Sequence, residues 1–262
     1  MSAPPIRFDV GDAYERSMGV WSQLAGEIFL DWLRPASGLE WVDVGCGSGA
    51  FTELIAQRCS PASIHGIDPA EGLLAFARTR PAAQIATFGD GDAMALPFGD
   101  HRFDAAVMAL VLFFVPDPPK SVMEMARVVR PGGIISAYLW DFEGGGFPFG
   151  PVQEALRAIA LNPPMPSHPQ VSRMDRLREI WSDAGLTDIE TTVITVGRSF
   201  PSFDEFWSIT SAGAGLQPMF QELSPAELDD VRARVRARLP PDAEGRIVYS
   251  GIANAIKGRT PI

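Results

Sequence analysis

The chain of 262 residues has few cysteines, few histidines and no long apolar run. Two cysteines, Cys46 and Cys59, are too few for a disulfide framework or a cluster of metal ligands. The longest apolar run, residues 105–115, falls short of the ~20 residues that a bilayer-spanning helix needs. The first residues, MSAPPIRFDV, lack the apolar core of a secretory signal. These features predict a soluble cytoplasmic protein that holds no metal.

Basic residues are also in the minority, with 22 against 32 acidic residues and a formal charge of −10. Phosphate backbones and anionic membrane surfaces attract clusters of lysine and arginine. Neither a nucleic acid nor a membrane is therefore expected as a partner. One basic run, an arginine at every second position from Arg232 to Arg238, stands beside acidic residues in a predicted helix, which is typical of a solvated face.

Apolar runs alternate with helical patterns through the first half of the chain. Strands are predicted at 41–44, 63–67, 84–88, 103–110 and 134–140, and helices between them at 51–58, 70–80 and 118–129. This alternation is typical of an α/β fold whose parallel sheet is covered by helices on both faces. Ligands of such sheets bind at the carboxyl ends of the strands, so the segments that follow each strand are the candidate site.

The second half of the chain is less regular. Residues 142–170 are dense in glycine, proline and phenylalanine, and a helix is predicted at 174–184. Strands are predicted at 189–196 and 246–256, with residues 200–244 inserted between them. The two strands suit an antiparallel pair at the edge of the sheet.

Three glycines, Gly45, Gly47 and Gly49, lie within five positions in WVDVGCGSGAF, residues 41–51. They follow a predicted strand and precede a predicted helix, which favours a ligand at this turn. A dinucleotide-binding loop reads G-x-G-x-x-G and holds a pyrophosphate, whereas the third glycine here comes one residue early. A plain tight turn is the alternative.

Two aspartates follow the next two predicted strands. Asp68, in IHGIDPAEGL, lies about 20 residues beyond the glycines, and its two oxygens suit both hydroxyls of a ribose. Asp92, in GDAMALPF, suits an adenine amino group, while the next backbone N–H suits a ring nitrogen. Each has a structural alternative, because Asp68 also suits the N-cap of the helix near Ala70 and Asp92 suits an Asx-turn.

The stretches VDVGCGSGAF, GIDPAEGLL, GDAMALPF and RVVRPGG occur in this order. With them the chain resembles the class I S-adenosylmethionine-dependent methyltransferases over residues 10–141. The resemblance implies a Rossmann-like, mostly parallel seven-stranded sheet with helices on both faces and an antiparallel C-terminal edge hairpin. We expect a single methyltransferase domain over residues 1–262, with an N-terminal helical cap at 1–35, a cofactor-binding core at 36–141, and substrate-side insertions at 142–172 and 200–244.

The resemblance also implies how S-adenosylmethionine binds. Gly45, Cys46 and Gly47 would line its methionine portion, Asp68 would bind the ribose, and Asp92 with Ala93 would bind the adenine. The family's residues after the fourth strand contact the amino end of the cofactor through their backbone. All candidate cofactor-binding residues are Tyr14, Met18, Asp43, Gly45, Cys46, Gly47, Gly49, Asp68, Pro69, Gly91, Asp92, Ala93, Ala109 and Leu110.

Several of these candidates have a second interpretation. Tyr14 and Met18, with Trp21, suit a helix that covers the sulfonium, whose charge aromatic faces attract, but they also suit core packing. Asp43 adds negative charge near the ammonium end of the cofactor, or else it caps nearby backbone N–H groups.

The implied reaction transfers a methyl group to a small acceptor and leaves S-adenosylhomocysteine. Aromatic residues in the two insertions, such as Phe147 and Trp207, favour a partly apolar acceptor. A sulfonium methyl is already activated, so alignment and the exclusion of water can supply much of the rate. No convincing general base is present among the three histidines, His65, His101 and His168, and no catalytic residue is assigned.

Trp140 and Asp141, which end the fifth core strand, are expected near the pocket. Two other functions compete with methyl transfer. One is a nicotinamide-dependent oxidoreductase, against which the early third glycine and Asp92 both count. The other is a non-catalytic regulator that binds S-adenosylmethionine.

Overall fold

The computed structural model describes residues 18–211 and 216–262. In the first half it contains the helices α1 (Val20–Leu33), α2 (Ala50–Arg58), α3 (Glu71–Ala77) and α4 (Pro118–Val128), and the strands β1 (Glu40–Val44), β2 (Ser63–Ile67), β3 (Ala86–Gly89), β4 (Phe103–Ala109) and β5 (Val129–Trp140). The second half contains α5 (Gly150–Ala158), α6 (Met174–Asp183), β6 (Thr187–Phe200), α7 (Phe203–Ser211), α8 (Gln217–Glu222), α9 (Pro225–Arg238) and β7 (Ile247–Arg259). Short 3₁₀ turns occur at Pro81–Gln84, Leu112–Phe114 and Pro169–Ser172.

The strands form one seven-stranded sheet in the order β3-β2-β1-β4-β5-β7-β6. The first five strands are parallel, and β7 runs antiparallel to both β5 and β6. The predicted fold, a mostly parallel sheet with an antiparallel C-terminal edge, is confirmed. The edge strands are longer than predicted because β6 and β7 pair continuously from Glu190–Lys257 to Phe200–Ile247.

The start of β5 also differs from the prediction. The sequence around Pro131, Gly132 and Gly133 predicts a break before the strand, but the strand begins at Val129 and passes through these residues. Its pairing with β4 is irregular here, and Gly132 has a φ of +75° that suits glycine. The break is therefore an irregularity within the strand.

Side chains from the sheet are buried on both of its faces. Along β1, Trp41 packs in the hydrophobic cluster beneath α1 and α2, while Val42 and Val44 pack in the cluster beneath α4 and α6. Because successive side chains of a strand point to opposite faces, a strand covered on both sides must be apolar throughout. This is why the core strands read as continuous apolar runs.

The arginines of α9 lie on an exposed face, as predicted, and they also form ion pairs with other helices. Arg232 and Arg236 both contact Asp204 of α7 at 2.9 Å, and Arg238 pairs with Glu154 of α5. Pairs this exposed contribute little stability each. Within the described ranges, none of the helices combines the length and the apolar character that a bilayer crossing requires.

Candidate functional site

A cavity of about 630 Å³ opens at the carboxyl ends of the parallel strands. Its lining comes from the ends of β1, β2 and β4, from β5, from the segment after β3 and from the first turn of α1. Three consecutive strand ends therefore meet around one space, as the motifs predict. Of the predicted residues, the lining contains Asp43, Gly45, Cys46, Gly47, Asp68, Pro69, Gly91, Asp92, Ala93, Ala109 and Leu110.

The glycine loop, defined as residues 45–49, joins β1 to α2 with a backbone that favours glycine. The φ angles of Gly45, Gly47 and Gly49 are +76°, +53° and +77°. A Cβ on Gly45 would lie 2.4 Å from Cγ1 of Val111, so a side chain there is excluded on steric grounds as well. A Cβ on Gly47 would meet only Leu73, at 4.0 Å, so the bare backbone at Gly47 leaves open space beside the cavity.

Asp68 lies between the glycine loop and the start of α3. Its Oδ2 accepts a hydrogen bond from the Gly47 N–H and its Oδ1 accepts one from the Ala70 N–H, both at 2.9 Å. Burial raises the pKa of this carboxyl above its usual value, although the two backbone N–H groups act in the opposite direction. The N-cap of α3 is Ala70, so Asp68 holds the turn before the helix and is not its cap. Each oxygen keeps a second acceptor site, so holding this turn and binding a ligand hydroxyl are compatible.

Asp43 is fully buried at the end of β1 and also lines the cavity. Its Oδ2 accepts a 2.6 Å hydrogen bond from the Thr52 hydroxyl, while its Oδ1 has no hydrogen-bond partner among the described residues. Burial raises the pKa of this carboxyl to about 7, and the negative charge of Asp68 acts in the same direction. An unpaired buried oxygen is costly, and a positively charged ligand group in the cavity would satisfy it.

Asp92 forms the turn that the sequence offered as its structural alternative. Its Oδ1 accepts a hydrogen bond from the Met94 N–H at 2.8 Å, and its carbonyl accepts one from the Ala95 N–H at 3.0 Å. Asp92 is exposed, and its second carboxylate oxygen accepts no hydrogen bond from the residues that the structure describes, so the turn presents this oxygen to an incoming donor. The neighbouring Gly91 packs closely against Ile67, because a Cβ at this position would lie 2.6 Å from the Ile67 side chain.

Leu110, just after β4, adopts a left-handed conformation with φ +62°. Its N–H donates to the Tyr138 carbonyl at 2.8 Å, which holds the chain in this turn. Such a conformation costs a non-glycine residue on the order of 1 kcal/mol and is often found at functional sites. The turn directs the following residues, Val111 and Phe114 among them, along the wall of the cavity.

Several lining residues were not predicted from the sequence. They are Gly19, just before α1, Ser22 and Gln23 in the first turn of α1, Leu73 of α3, the residues Val111, Phe114, Val115 and Pro116 after β4, and Tyr138 of β5. Ser22 is notable, because its Oγ is buried without a hydrogen-bond partner among the described residues. Only the packing of α1 and β5 beside the glycine loop brings these residues together. The one available signal was the position of Tyr138 near the end of a predicted strand.

Two of the described candidates for the cofactor site, Gly49 and Met18, do not line the cavity. Gly49 packs against α3, where an added Cβ would lie 3.0 Å from Cβ of Ala77. Met18 is buried in the hydrophobic cluster under α1, together with Trp21, which agrees with the core-packing interpretation. Tyr14 lies outside the described residues.

None of the three histidines lines the cavity. His65 contacts the Thr87 hydroxyl at 2.8 Å, and burial lowers its pKa. His101 contacts the Val129 carbonyl at 3.1 Å. Asp141 likewise serves a turn, because its Oδ1 accepts from the Gly144 N–H at 2.9 Å, and Trp140 is buried.

Cys46 belongs to the lining of the cavity, and its buried Sγ lies beside Gly66 of β2. Burial raises the pKa of this thiol well above its usual range, and the nearby Asp43 and Asp68 charges add to the effect. It is therefore a neutral thiol at physiological pH and not a nucleophile. In the part of the chain that the structure describes, no three His, Cys, Asp or Glu residues are grouped so as to hold a metal ion.

The aromatic residues of the two insertions pack into the protein. Phe147, Phe149, Phe203 and Phe206 are buried in the cluster under α1, and Trp207 packs against the same cluster. No described residue of 142–172 or 200–244 belongs to the lining of the cavity. The expectation that these segments form the acceptor side therefore gains no support from this cavity.

Comparison with known proteins connects this geometry to a family. Residues 42–137 match the family model described as a methyltransferase domain. This range runs from β1 into β5 and contains the glycine loop, Asp68, Asp92 and Leu110. Residues 42–137 belong to the class I S-adenosylmethionine-dependent methyltransferases. The resemblance seen in the sequence is confirmed.

Two relatives of this methyltransferase domain are named for quinone substrates. The 2-phytyl-1,4-naphtoquinone methyltransferase of Nostoc punctiforme is 32% identical over 148 residues, which cover 55% of this chain and 60% of that protein. The ubiquinone/menaquinone biosynthesis C-methyltransferase UbiE of Roseobacter denitrificans is 28% identical over 214 residues, covering 79% of this chain and 78% of that protein. The chain thus spans less than two thirds of the Nostoc relative.

A solved structure shows the same fold as the methyltransferase domain and the strands beyond it. Phosphoethanolamine N-methyltransferase 2 of Haemonchus contortus, in complex with S-adenosyl-L-methionine, aligns with a TM-score of 0.60 at 19% identity. The alignment covers 96% of this chain and 55% of that one. The fold therefore extends through the C-terminal edge hairpin.

Proposed function

We propose that this chain transfers a methyl group from S-adenosylmethionine to a small, partly apolar acceptor. The observation that carries the proposal is the meeting of the glycine loop, Asp68 and Asp92 around one cavity at three consecutive strand ends. Asp68 binds the ribose hydroxyls with its remaining acceptor sites, and Asp92 with Ala93 binds the adenine edge. Both aspartates already hold backbone N–H groups, so their oxygens are fixed in position before the ligand arrives.

The residues around the glycine loop fit the methionine portion of this donor. The open space beside Gly47 accommodates bulk next to the backbone, and the unpartnered Oδ1 of Asp43 suits an ammonium group. Neither feature suits a pyrophosphate, which would bring negative charge next to Asp43 and Asp68. The donor is therefore favoured over a nicotinamide dinucleotide.

The donor supplies an activated methyl group on a sulfonium sulfur. In the transfer, an electron pair of the acceptor forms a bond to the methyl carbon while the carbon–sulfur bond breaks and its electrons stay on sulfur. The protein aligns the two molecules and excludes water, which can lower the barrier by ~7–11 kcal/mol when the alignment is good. A proton on the acceptor atom leaves to water after the transfer, and the proposal assigns no residue as general base.

The acceptor meets an apolar wall. Met94, Val111, Phe114 and Val115 line the cavity beyond the carboxylates, and they offer contact area with few hydrogen-bonding groups. The two relatives named for naphthoquinone and ubiquinone/menaquinone substrates support an aromatic, quinone-like ring as the acceptor. We place the reaction in the cytoplasm, where the free thiols of Cys46 and Cys59 stay reduced.

Calorimetric titration of the purified protein with S-adenosylmethionine, S-adenosylhomocysteine and NAD tests the cofactor. We expect the first two to bind and NAD not to bind; binding of NAD alone would establish the oxidoreductase instead. A panel of phenols, naphthohydroquinones and amines is then incubated with methyl-labelled donor and analysed by mass spectrometry. Transfer to a quinol supports the proposal, whereas tight cofactor binding without transfer to any member supports the non-catalytic regulator.

A further inference from the structure

The segment from Asp68 to Arg80, which includes α3, contacts three consecutive residues of the glycine loop. Asp68 accepts a hydrogen bond from the Gly47 N–H at 2.9 Å. Arg80 donates from Nε to the Ser48 carbonyl at 2.6 Å. Ala77 lies so close to Gly49 that an added Cβ would meet its Cβ at 3.0 Å. Two peptide units of the loop are thus held from this segment, the Cys46–Gly47 unit by an acceptor and the Ser48–Gly49 unit by a donor.

Arg80 joins the loop to the helix that follows it. While its Nε holds the Ser48 carbonyl, its Nη1 forms an ion pair with Glu53 in the first turn of α2 at 2.8 Å. Both side chains are only 16% exposed, which sets this pair apart from the mostly exposed ion pairs elsewhere in the described residues. The guanidinium also lies 5.2 Å from the centre of the Phe76 ring. A planar fork can make these contacts at once, whereas an ammonium group cannot.

We propose that Arg80 is a positioning residue for cofactor binding, which acts by holding the Ser48 carbonyl and thereby the orientation of the Ser48–Gly49 peptide. Arg80 does not line the cavity, so it acts through the loop and not by contact with the ligand. The inference rests on the proposed function, in which the loop lines the methionine portion of the cofactor.

The physical reason is the freedom of the loop. Glycines can adopt many backbone conformations, and three of them in five residues leave the loop free to move unless other groups hold it. A loop that becomes ordered only when the ligand binds reduces affinity, because the conformational entropy that the loop loses opposes binding. Arg80 and Asp68 remove this freedom before the ligand binds.

Three substitutions separate the bond to the loop from the ion pair. Arg80→Lys keeps a positive charge beside Glu53 but loses the donor to the Ser48 carbonyl. Arg80→Gln loses both interactions. Glu53→Gln removes the ion pair while leaving the Arg80–Ser48 hydrogen bond. Arg78→Lys is a matched control, because Arg78 is an exposed arginine at the end of α3 that bonds to Glu71 and to the Phe88 carbonyl, outside the glycine loop.

The experiment measures the dissociation constants of S-adenosylhomocysteine and of adenosine by calorimetry, and the melting temperature of each ligand-free variant. We expect both Arg80 variants to bind S-adenosylhomocysteine about tenfold more weakly, the loss that ~1.4 kcal/mol produces. Adenosine lacks the portion that faces the loop, so its affinity should fall by much less. Glu53→Gln should lower the melting temperature but retain affinity for S-adenosylhomocysteine, and Arg78→Lys should resemble the wild type.

A merely structural role for Arg80 would weaken the two ligands equally, or would make Glu53→Gln as damaging to affinity as Arg80→Lys. Either result overturns the inference, as does wild-type affinity in both Arg80 variants. If the chain does not bind this cofactor at all, the result is different, because the wild-type protein would then not bind S-adenosylhomocysteine. If it binds the cofactor without methyl transfer, the affinities of the variants still test the role of Arg80.

Discussion

The two ends of the parallel strands each hold a cavity, but their charges are arranged in opposite ways. At the amino end, a cavity of about 450 Å³ is lined by side chains of both signs. Arg130 pairs with Asp104 at 2.6 Å, and Lys257 pairs with Glu190 at 3.3 Å. Charge at this end is compensated within the protein.

At the carboxyl end, the charge is all of one sign. Asp43, Asp68 and Asp92 line the larger cavity, and within residues 18–211 and 216–262 they accept hydrogen bonds only from backbone N–H groups and one hydroxyl. Burial raises the pKa of both Asp43 and Asp68, which means that the protein does not fully stabilise their negative charge. Paired charges at one end serve the fold, and incompletely satisfied carboxylates at the other end are available to a ligand.

The largest expected effect comes from filling the glycine loop. Gly45→Ala places a methyl group 2.4 Å from Val111 Cγ1 at a residue with φ +76°. The left-handed backbone costs ~1–2 kcal/mol, and the overpacking costs another ~1–3 kcal/mol. We expect calorimetry to show a loss of S-adenosylhomocysteine affinity of about 100-fold or more.

A second variant keeps this prediction testable if Gly45→Ala folds poorly. Val111→Ala removes the two γ carbons that the new methyl group would meet, so the double variant should recover part of the affinity while keeping the backbone strain. Wild-type affinity in the single variant would show that the loop tolerates a side chain and would contradict the steric account.

Asp68→Asn tests the carboxyl end directly. The substitution keeps the shape of the side chain but removes its charge and turns one acceptor oxygen into a donor facing a backbone N–H. Losing charge-assisted bonds should weaken cofactor binding by ~1.5–3 kcal/mol in calorimetric titration. Asp141→Asn is the matched control, an aspartate at the end of β5 that caps a turn outside the cavity lining. Equal losses in the two variants would remove the special role of Asp68.

The raised pKa of Asp43 predicts that both folding stability and ligand binding depend on pH. Its pKa rises from 3.8 to about 7 on folding, so the folded protein holds a proton that the unfolded chain has released over this range. The stability that this proton contributes is therefore lost as the pH rises from about 4 to 7. A cationic ligand group beside Oδ1 would favour the ionised carboxylate, so binding below pH 7 should release a proton.

Calorimetry in two buffers with different ionisation enthalpies measures this proton. We expect close to one proton released per S-adenosylmethionine bound at about pH 6 and close to none at about pH 8, with affinity rising between them. Asp68 and Cys46 are the other titratable groups beside Asp43, so Asp43→Asn is needed to assign the effect. Unchanged proton release in Asp43→Asn would assign the linkage to another group.

The strand-end residues could be predicted from sequence because each motif directly follows its own strand. Parallel topology then brings Gly47, Asp68 and Asp92 together without any knowledge of side-chain packing. The same reasoning offered a structural alternative for each aspartate. The Asx-turn at Asp92 is present, whereas the N-cap of α3 is Ala70 and Asp68 instead accepts from the Ala70 N–H. Both aspartates also line the cavity.

Residues that reach the cavity only through tertiary packing could not be predicted. Ser22 and Tyr138 come from distant segments, and no local pattern marks which face of their element meets the glycine loop. The insertions show a related difficulty, because Phe147 and Phe203 are equally suited to a core and to a ligand pocket. Composition reports that an apolar side chain will be buried, but not what will cover it.

The smallest effect is expected at the amino end. Arg130→Gln breaks the contacts with Asp104 and with Glu40, yet all three side chains are partly exposed, with Arg130 at 41%. Exposed ion pairs contribute ~0–1 kcal/mol, so the free energy of unfolding should fall by about 1 kcal/mol or less in a denaturant titration. Cofactor affinity should not change, because the substitution lies at the opposite end of the strands. A loss of affinity comparable to that of Asp68→Asn would show that the two ends are coupled through the sheet and that the amino-end charges do more than stabilise the fold.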